Sequence, residues 1–136
     1  MRRNACPSLA APMPTGDGLL ARINTVDGSI SPRHLRLIAE AAERHGNGIL
    51  EVTRRGSLQI RGLTEVSAPL FSQEILGSGI NVRSGVPVES GPLAGLDPFE
   101  LMDGRSTADQ IIDRIEKENF RRLLAPKFSI VVDGGG

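Results

Sequence analysis

The sequence predicts an α+β fold, with a β-α-β-β-α-β unit first and the start of a second α+β domain after it. Three observations support this prediction. Several short stretches alternate apolar with polar residues, which is typical of half-buried strands. Two longer stretches between them repeat apolar residues at helical spacing. A loop rich in Pro and Gly, at 85–98, separates these elements from a further helix and strand.

The first unit is expected to contain four strands and two helices. The strands are predicted at 19–23, 49–53, 57–61 and 80–83, and the helices at 32–46 and 64–76. Ser31 is the predicted N-cap of the first helix, and Pro32 suits its first turn. Thr64 is the predicted cap of the second helix, with Pro69 as an irregularity inside it. This order and size are those of a ferredoxin-like split β-α-β half-domain.

The domain organisation follows from these elements and from the loops between them. We expect an extended arm at 1–17, the half-domain at 18–84, a linker loop at 85–104 and the start of a second, truncated domain at 105–136. The helix of this second domain is expected to begin at a capping box, Ser106 to Asp109, and to run to Leu124. A strand at 128–132 should follow. Because a lone helix and strand have little to pack against, we expect the chain to be a fragment.

Composition excludes several classes of function. The 136 residues have a formal net charge of +0 and contain no Trp and no Tyr, which argues against nucleic acid as a partner. No apolar run approaches the ~20 residues of a membrane span, so no membrane partner is expected. The one cysteine, Cys6, cannot form an internal disulfide and cannot alone hold a metal or an iron–sulfur cluster. A cytoplasmic location is the natural expectation.

A polar sheet face is the candidate site in the first unit. In the third predicted strand Gln59 and Arg61 point to one side, while the apolar side chains between them point to the other. Arg22 on the first strand and Arg55 in the hairpin are expected to join this face. Arginine forks bind carboxylates bidentately, so the row suits a flat polyanion. The alternative is a solvated face whose arginines form ion pairs with Glu51 or Glu65.

Other polar residues are expected to have structural roles. His34 and His45 are predicted to lie on helix surfaces, without an acid placed for catalysis. Asp97, Asp103 and Asp109 have the residue type of metal ligands, but helix capping and turn formation are commoner roles for aspartate in such positions. No metal ligand is therefore predicted in this chain.

Four motifs resemble the nitrite/sulfite reductase superfamily. The run 53–62, Thr-Arg-Arg-Gly-Ser-Leu-Gln-Ile-Arg-Gly, resembles its Thr-Thr-Arg-Gln-x-x-Gln-Ile-Arg-Gly motif. The run 92–98, Pro-Leu-Ala-Gly-Leu-Asp-Pro, resembles its Pro-Leu-Ala-Gly-Ile-Asp-Pro segment. The runs 13–22 and 126–135 resemble the precorrin-3B synthase family within that superfamily. The four motifs occur in the family's order over nearly the whole chain.

The resemblance implies roles for the arginine-bearing face. It places Arg55 against a sirohaem-like macrocycle and its bound anion, and it makes Arg22, Gln59 and Arg61 contacts to tetrapyrrole carboxylates. Gly56 stands where the reductase motif has Gln, so the contacts of that glutamine side chain are not carried over. No catalytic residue is assigned within this chain.

The resemblance also implies a reaction and its cofactors. It implies an oxidoreductase, a monooxygenase that uses molecular oxygen and an electron donor to convert precorrin-3A in aerobic cobalamin biosynthesis. It further implies a [4Fe-4S] cluster whose ligands lie outside this chain, with mononuclear iron or sirohaem as further candidates. The isolated chain is therefore expected to be inactive.

Two alternatives remain open at this point. The first is a fragment of an assimilatory nitrite or sulfite reductase that binds sirohaem as a true cofactor. The second is a ferredoxin-like module without catalytic activity that binds RNA or a protein. Gly56 and the motif at 13–22 favour the precorrin-3B synthase family over the first alternative.

Overall fold

A computed structural model describes residues 7–26, 29–125 and 127–135 of the chain. The chain divides into two compact units, Met1–Arg83 and Ser84–Gly136. In chain order the first unit contains β1 (Met13–Thr15), β2 (Gly18–Ile23), α1 (Pro32–His45), β3 (Leu50–Val52), β4 (Leu58–Leu63) and α2 (Ser67–Gly77). The second contains β5 (Val88–Ser90), α3 (Gly104–Lys117), a 3₁₀ turn (Phe120–Arg122) and β6 (Ile130–Val132).

The first unit is an antiparallel sheet covered on one face by two helices. Its strands lie in the order β1-β2-β4-β3, and every neighbouring pair is antiparallel. The core is apolar and draws on β2, α1, β4 and α2. Its largest fully buried side chains in this unit are Phe71, Ile23, Ile38, Ile60, Leu63 and Ile75. The β-α-β-β-α order predicted from the sequence is confirmed.

The outer edge of β2 differs from the prediction. The strand expected at 80–83 is reduced to one antiparallel bridge between Thr25 and Val82. The other end of β2 pairs instead with β1, a strand that the sequence did not predict, with Met13 opposite Leu20. Residues 7–15 of the predicted arm thus contribute a strand and two buried residues, Pro7 and Leu9, while residues 1–6 lie outside the described part of the chain.

Both helices of the first unit begin close to the predicted positions. Ser31 caps α1, since its hydroxyl accepts from the amide of His34 at 3.1 Å, and Gly46 ends the helix as expected. At α2 the amide and hydroxyl of Thr64 exchange hydrogen bonds with those of Ser67. The expected irregularity at Pro69 is wrong. That residue falls in the first turn of α2, where its missing N–H removes no helical hydrogen bond.

A bulge in β4 sets the position of Arg61. The register between β2 and β4 shifts between Leu19 and Ala21, so β4 carries one extra residue there. Gly62 lies in this bulge with a φ of 71°. A Cβ at this position would meet Asn47 at 2.6 Å, so only glycine fits. The amide of Asn47 donates to the Arg61 carbonyl at 3.1 Å and ties the bulge to the segment after α1.

The second unit is a small β-α-β arrangement. Strands β5 and β6 are parallel, and Val88, Ala108, Ile115 and Val132 form its core. Strand β5 lies within the segment that was expected to be a loop. The predicted capping box at Ser106 is wrong, because Asp103 caps α3 through the amide of Arg105. The helix ends at Lys117 rather than near Leu124, since Asn119 takes a left-handed conformation with a φ of 55°.

Candidate anion-binding face

Three polar side chains form a row across the sheet of the first unit, on the face opposite to the helices. Arg22 on β2 is the register partner of Gln59 on β4, and Gln59 is also the register partner of Glu51 on β3. All three are half-buried, whereas Leu58 and Ile60, the neighbours of Gln59 on β4, are buried in the core. Side-chain alternation along β4 therefore separates the polar face from the apolar one.

The hydrogen bonds along the row all run in one direction, from donors on Arg22 to an acceptor on Glu51. Arg22 donates from Nε to Gln59 Oε1 at 3.1 Å, and its Nη2 donates to the same oxygen. Gln59 donates in turn from Nε2 to Glu51 Oε2 at 3.2 Å. An arginine only donates and a carboxylate only accepts, so the amide between them has one favourable orientation. The three residues form a continuous chain of hydrogen bonds from strand to strand.

Arg61 lies beside this row, two residues from Gln59 on β4, in a bidentate ion pair. Its Nε and Nη2 donate to the two carboxylate oxygens of Asp17, each at 2.9 Å. Asp17 lies in the turn between β1 and β2, where Thr15 donates to it at 2.8 Å and Asn47 at 3.1 Å. A longer contact of 3.4 Å joins Arg61 Nη1 to Glu51. Arg61 thus has two carboxylate partners on this face.

These contacts shift the pKa values of both partners. The hydrogen bonds from Arg61 and then from Thr15 hold the pKa of the Asp17 carboxyl well below its usual range. The same pair, with Glu51 as the second contributor, raises the pKa of the Arg61 guanidinium above its usual range. Both groups are therefore charged over the whole physiological pH range.

The charges on the polar face are distributed unevenly. Arg61 is compensated by Asp17 and Glu51. The Arg22 guanidinium donates to the neutral amide of Gln59, and within the described residues no carboxylate lies at ion-pair distance from it. The predicted alternative of ion pairs with Glu51 or Glu65 therefore describes Arg61, through Glu51, but not Arg22. An anion arriving at this face would meet an uncompensated positive charge at Arg22.

Arg55 lies apart from the row, in the turn that joins β3 to β4. The turn is closed by hydrogen bonds between Thr53 and Ser57, and Arg55 is exposed within it. Gly56 next to it has a φ of 73°, which favours glycine over any residue with a side chain. The structure therefore brings together three of the four predicted site residues, Arg22, Gln59 and Arg61, and places Arg55 at the tip of the hairpin.

One member of the network, Asp17, was missed by sequence reasoning. Its place depends on β1, which is only three residues long and shows no clear alternation. The Thr-Gly-Asp-Gly composition of 15–18 was the available signal, since Asp and Gly dominate tight turns. A turn next to the predicted first strand puts an aspartate at the edge of the polar face.

His45 differs from its expected place on a helix surface. Its side chain is half-buried, its Nε2 lies 2.8 Å from Glu74 on α2, and its ring meets Phe71 edge-on at a centroid distance of 6.3 Å. Arg44 also pairs with Glu74, and these two contacts, Arg44 first, lower the pKa of Glu74. The group fastens α1 to α2 on the far side of the sheet from the polar face.

The described residues give no metal site and no membrane-spanning helix. In them, no cluster of three or more His, Cys, Asp or Glu residues is placed to hold a metal ion. Asp103 caps α3, with its pKa lowered to about 2 by Arg105, and Asp97 accepts from the amide of Phe99. Cys6 lies outside the described residues, and one cysteine does not fit a [4Fe-4S] cluster. No helix in the described ranges is long and apolar enough to cross a membrane.

Comparison with known proteins places the chain in a family. The nitrite/sulfite reductase ferredoxin-like half domain matches residues 11–77. The whole chain is 47% identical over 136 residues to the precorrin-3B synthase of Sinorhizobium sp. The chain belongs to the nitrite/sulfite reductase superfamily. It spans 30% of the length of that curated relative.

Other superfamily members match with lower identity. The ferredoxin–nitrite reductase of Synechococcus elongatus is 30% identical over 126 residues, which cover 85% of this chain and 25% of the relative. Among solved structures, dissimilatory sulfite reductase I matches with a TM-score of 0.66 and 16% identity, over 85% of this chain and 28% of that one. This likeness confirms the predicted fold, an α+β half-domain of the nitrite/sulfite reductase type.

Proposed function

We propose that this chain is the tetrapyrrole-binding amino-terminal part of a precorrin-3B synthase. That enzyme is an oxidoreductase that uses molecular oxygen to convert precorrin-3A during aerobic cobalamin biosynthesis. The observation that carries the proposal is the 47% identity to a precorrin-3B synthase over all 136 residues. The identity to the nitrite reductase of Synechococcus elongatus is 30%.

The polar face supports binding of a carboxylate-rich macrocycle. Arg22 offers a guanidinium that no carboxylate of the described residues neutralises, and Arg61 is held in a fixed orientation by two carboxylates. Neighbouring strands of a sheet lie about 4.8 Å apart, so a flat ligand on this face meets groups from several strands at once. In this proposal Arg22, Gln59 and Arg61 bind the carboxylates of the ligand, and Arg55 meets the ligand from the hairpin tip.

The role of this chain in catalysis is to bind and orient the substrate. Fixing a macrocycle by its carboxylates lowers the entropic cost of bringing its reacting carbon to an oxidant. A [4Fe-4S] cluster, mononuclear iron or sirohaem would supply the redox chemistry. This chain contains only one cysteine, so it does not fit the [4Fe-4S] cluster. We propose that the cluster ligands lie elsewhere in a longer, cytoplasmic protein, that an electron donor serves it, and that this chain alone is inactive.

A nitrite reductase function is the second candidate. It is favoured by matches to ferredoxin–nitrite reductases from several organisms, with 33% identity over 94 residues in Oryza sativa. In that case the macrocycle on the polar face would be sirohaem, a resident cofactor rather than a substrate. The two candidates share the ligand chemistry of the face and differ in the fate of the ligand.

A binding titration tests the proposed role of the face. The chain is titrated with uroporphyrin, a polycarboxylated porphyrin, and with sirohaem, and binding is followed by absorbance and intrinsic ligand fluorescence. We expect both ligands to bind, and Arg22→Ala to weaken binding about tenfold, as expected for loss of a charge-assisted contact. Arg33→Ala is the matched control, because it removes an exposed arginine from α1, on the helical side of the sheet.

One outcome of the titration would contradict the proposal. Equal affinity of the wild-type chain, Arg22→Ala and Arg33→Ala for uroporphyrin would show that the polar face does not bind the macrocycle. In the full-length protein, a sirohaem spectrum that persists through purification supports the nitrite reductase candidate. Release of a hydroxylated tetrapyrrole product supports the synthase.

A further inference from the structure

Gln59 joins a cationic side chain to an anionic one without being charged itself. It lies between Arg22 and Glu51 in the register of the sheet and contacts both. A carboxylate at this position would bind the arginine more strongly, because charge-assisted hydrogen bonds are the stronger ones. It would also remove the positive charge that distinguishes Arg22 from Arg61. The neutral amide of Gln59 therefore holds Arg22 in place without neutralising its positive charge.

We propose that Gln59 is a positioning residue that fixes the Arg22 guanidinium while leaving its charge available to a ligand carboxylate, and that Glu51 fixes the direction of the Gln59 amide. This inference rests on the proposed function in one respect, the identity of the ligand. The positioning itself concerns the chain alone.

Glu51 adds to the selection of one of the two nearly isosteric orientations of the Gln59 amide. With Nε2 towards Arg22, two donors would face each other, and Oε1 would face the carboxylate of Glu51. Both contacts would be repulsive. Glu51 is itself placed by its position on β3 and by Arg61, which donates to the same oxygen, Oε2, at 3.4 Å. Glu51 thus helps to keep the acceptor Oε1 of Gln59, and not its donor Nε2, facing Arg22.

The geometry leaves one side of the Arg22 fork open. Its Nε and Nη2 both donate to Gln59 Oε1, while Nη1 has no hydrogen bond to any described residue. A ligand carboxylate can approach Nη1 and the second hydrogen of Nη2 without displacing Gln59. Arg61 differs, since a ligand would have to compete there with Asp17 for Nε and Nη2.

The test measures two quantities separately: how rigidly the Arg22 side chain is held, and how tightly the chain binds its ligand. The chain is labelled with ¹⁵N, and the Arg22 Nε–H resonance is assigned by its loss in Arg22→Lys. Its exchange rate with water is then compared among variants without ligand. We expect slow exchange in the wild type and several-fold faster exchange in Gln59→Met and Glu51→Gln. Glu40→Gln, which removes one exposed carboxylate from α1, is the control for the charge change and should leave the rate unchanged.

Uroporphyrin affinity supplies the second measurement. Gln59→Glu combined with Glu51→Gln avoids two facing carboxylates and keeps a hydrogen-bond acceptor for Arg22, but it compensates the Arg22 charge, so we expect slow exchange together with affinity reduced about tenfold. Gln59→Met leaves the charge of Arg22 uncompensated but removes the hydrogen bonds that orient its guanidinium. We therefore expect fast exchange, with a loss of affinity smaller than about tenfold. A purely structural role for Gln59 would not separate the two measurements in this way.

Each result bears on the inference or on the proposed function. Unchanged Nε–H exchange in Gln59→Met overturns the positioning role. Undiminished affinity in the double variant with Gln59→Glu and Glu51→Gln overturns the role of the uncompensated charge. If the wild-type chain shows the expected exchange pattern but binds no uroporphyrin, the proposed ligand is wrong and the positioning of Arg22 stands. Circular dichroism of each variant confirms that the sheet is folded before either measurement.

Discussion

Asp17 and Arg61 are 44 residues apart in the chain and form a bidentate ion pair with two N–O distances of 2.9 Å. The pair joins the turn before β2 to the bulged end of β4, so it depends on both local structures being formed. It also determines what Arg61 can do. An arginine whose fork is filled by a carboxylate within the protein fixes the shape of the face, and it offers less to a ligand than Arg22 does.

The first prediction concerns the pH dependence of stability. The pKa of Asp17 is lowered in the folded chain, so the pair stabilises the fold above the unfolded pKa of about 3.9. This stabilisation is lost as the pH falls below that value towards the folded pKa. Asp17→Asn should therefore lower the urea midpoint at pH 7 and have a much smaller effect near pH 2.

The control for this prediction is an acidic residue on the helical side of the same unit. Glu40→Gln removes an exposed carboxylate from α1 and should leave the midpoint nearly unchanged at both pH values. Equal destabilisation by Asp17→Asn at pH 7 and near pH 2 would mean that the charge of Asp17 contributes nothing.

The second prediction concerns the bulge at Gly62. Gly62→Ala introduces a Cβ where φ is 71° and where Asn47 lies 2.6 Å away. We expect a loss of about 2 kcal/mol in the free energy of unfolding, from backbone strain and from displacement of Asn47. Gly77→Ala at the end of α2, where a Cβ would meet nothing within 4 Å, should be neutral or slightly stabilising. Denaturant unfolding of both variants measures the difference.

The fold of the first unit could be predicted where local patterns were strong. The caps at Ser31 and Gly46 and the alternation at 57–61 determined α1 and β4 correctly. Strand β1 was not predicted because a three-residue strand carries almost no periodic signal and is stabilised by its partner β2. In the second unit, Ser106 had the sequence of a cap, but Asp103, three residues earlier, starts the helix.

The candidate site could be predicted only as a set of residues on one face. Alternation placed Gln59 and Arg61 together, and strand pairing brought Arg22 opposite Gln59. The sequence could not show which arginine is neutralised, because that depends on Asp17 in a turn far away in the chain. Charge compensation is a tertiary property, and it is what distinguishes Arg22 from Arg61 here.

The third prediction tests how far the apolar core extends across the helix-covered face of the sheet, from the central strand β4 to the edge strand β3. Leu58 and Val52 are register partners on β4 and β3, yet Leu58 is 6% exposed and Val52 is 72% exposed. Leu58→Asp places a carboxylate in the core and should cost about 3–5 kcal/mol, enough to unfold the unit. Val52→Asp should cost less than about 1 kcal/mol. Thermal unfolding by circular dichroism distinguishes them, and similar melting temperatures for the two variants would contradict the assignment of the core.

The last prediction ranks the two arginines of the polar face. Because Arg22 is uncompensated and Arg61 is paired with Asp17 and Glu51, Arg22→Ala should weaken uroporphyrin binding more than Arg61→Ala does. Asp17→Asn should have the opposite effect and tighten binding, since it releases the Arg61 fork and adds a positive charge to the face.

Fluorescence titrations at two salt concentrations measure this ranking. The gain in Asp17→Asn should shrink as salt rises, because screening weakens the interaction between exposed charges. Arg36→Ala, on an exposed position of α1, is the control for a general loss of positive charge. A greater loss in Arg61→Ala than in Arg22→Ala would show that the ligand displaces Asp17 from its pair. In that case Arg61, not Arg22, would be the principal carboxylate contact.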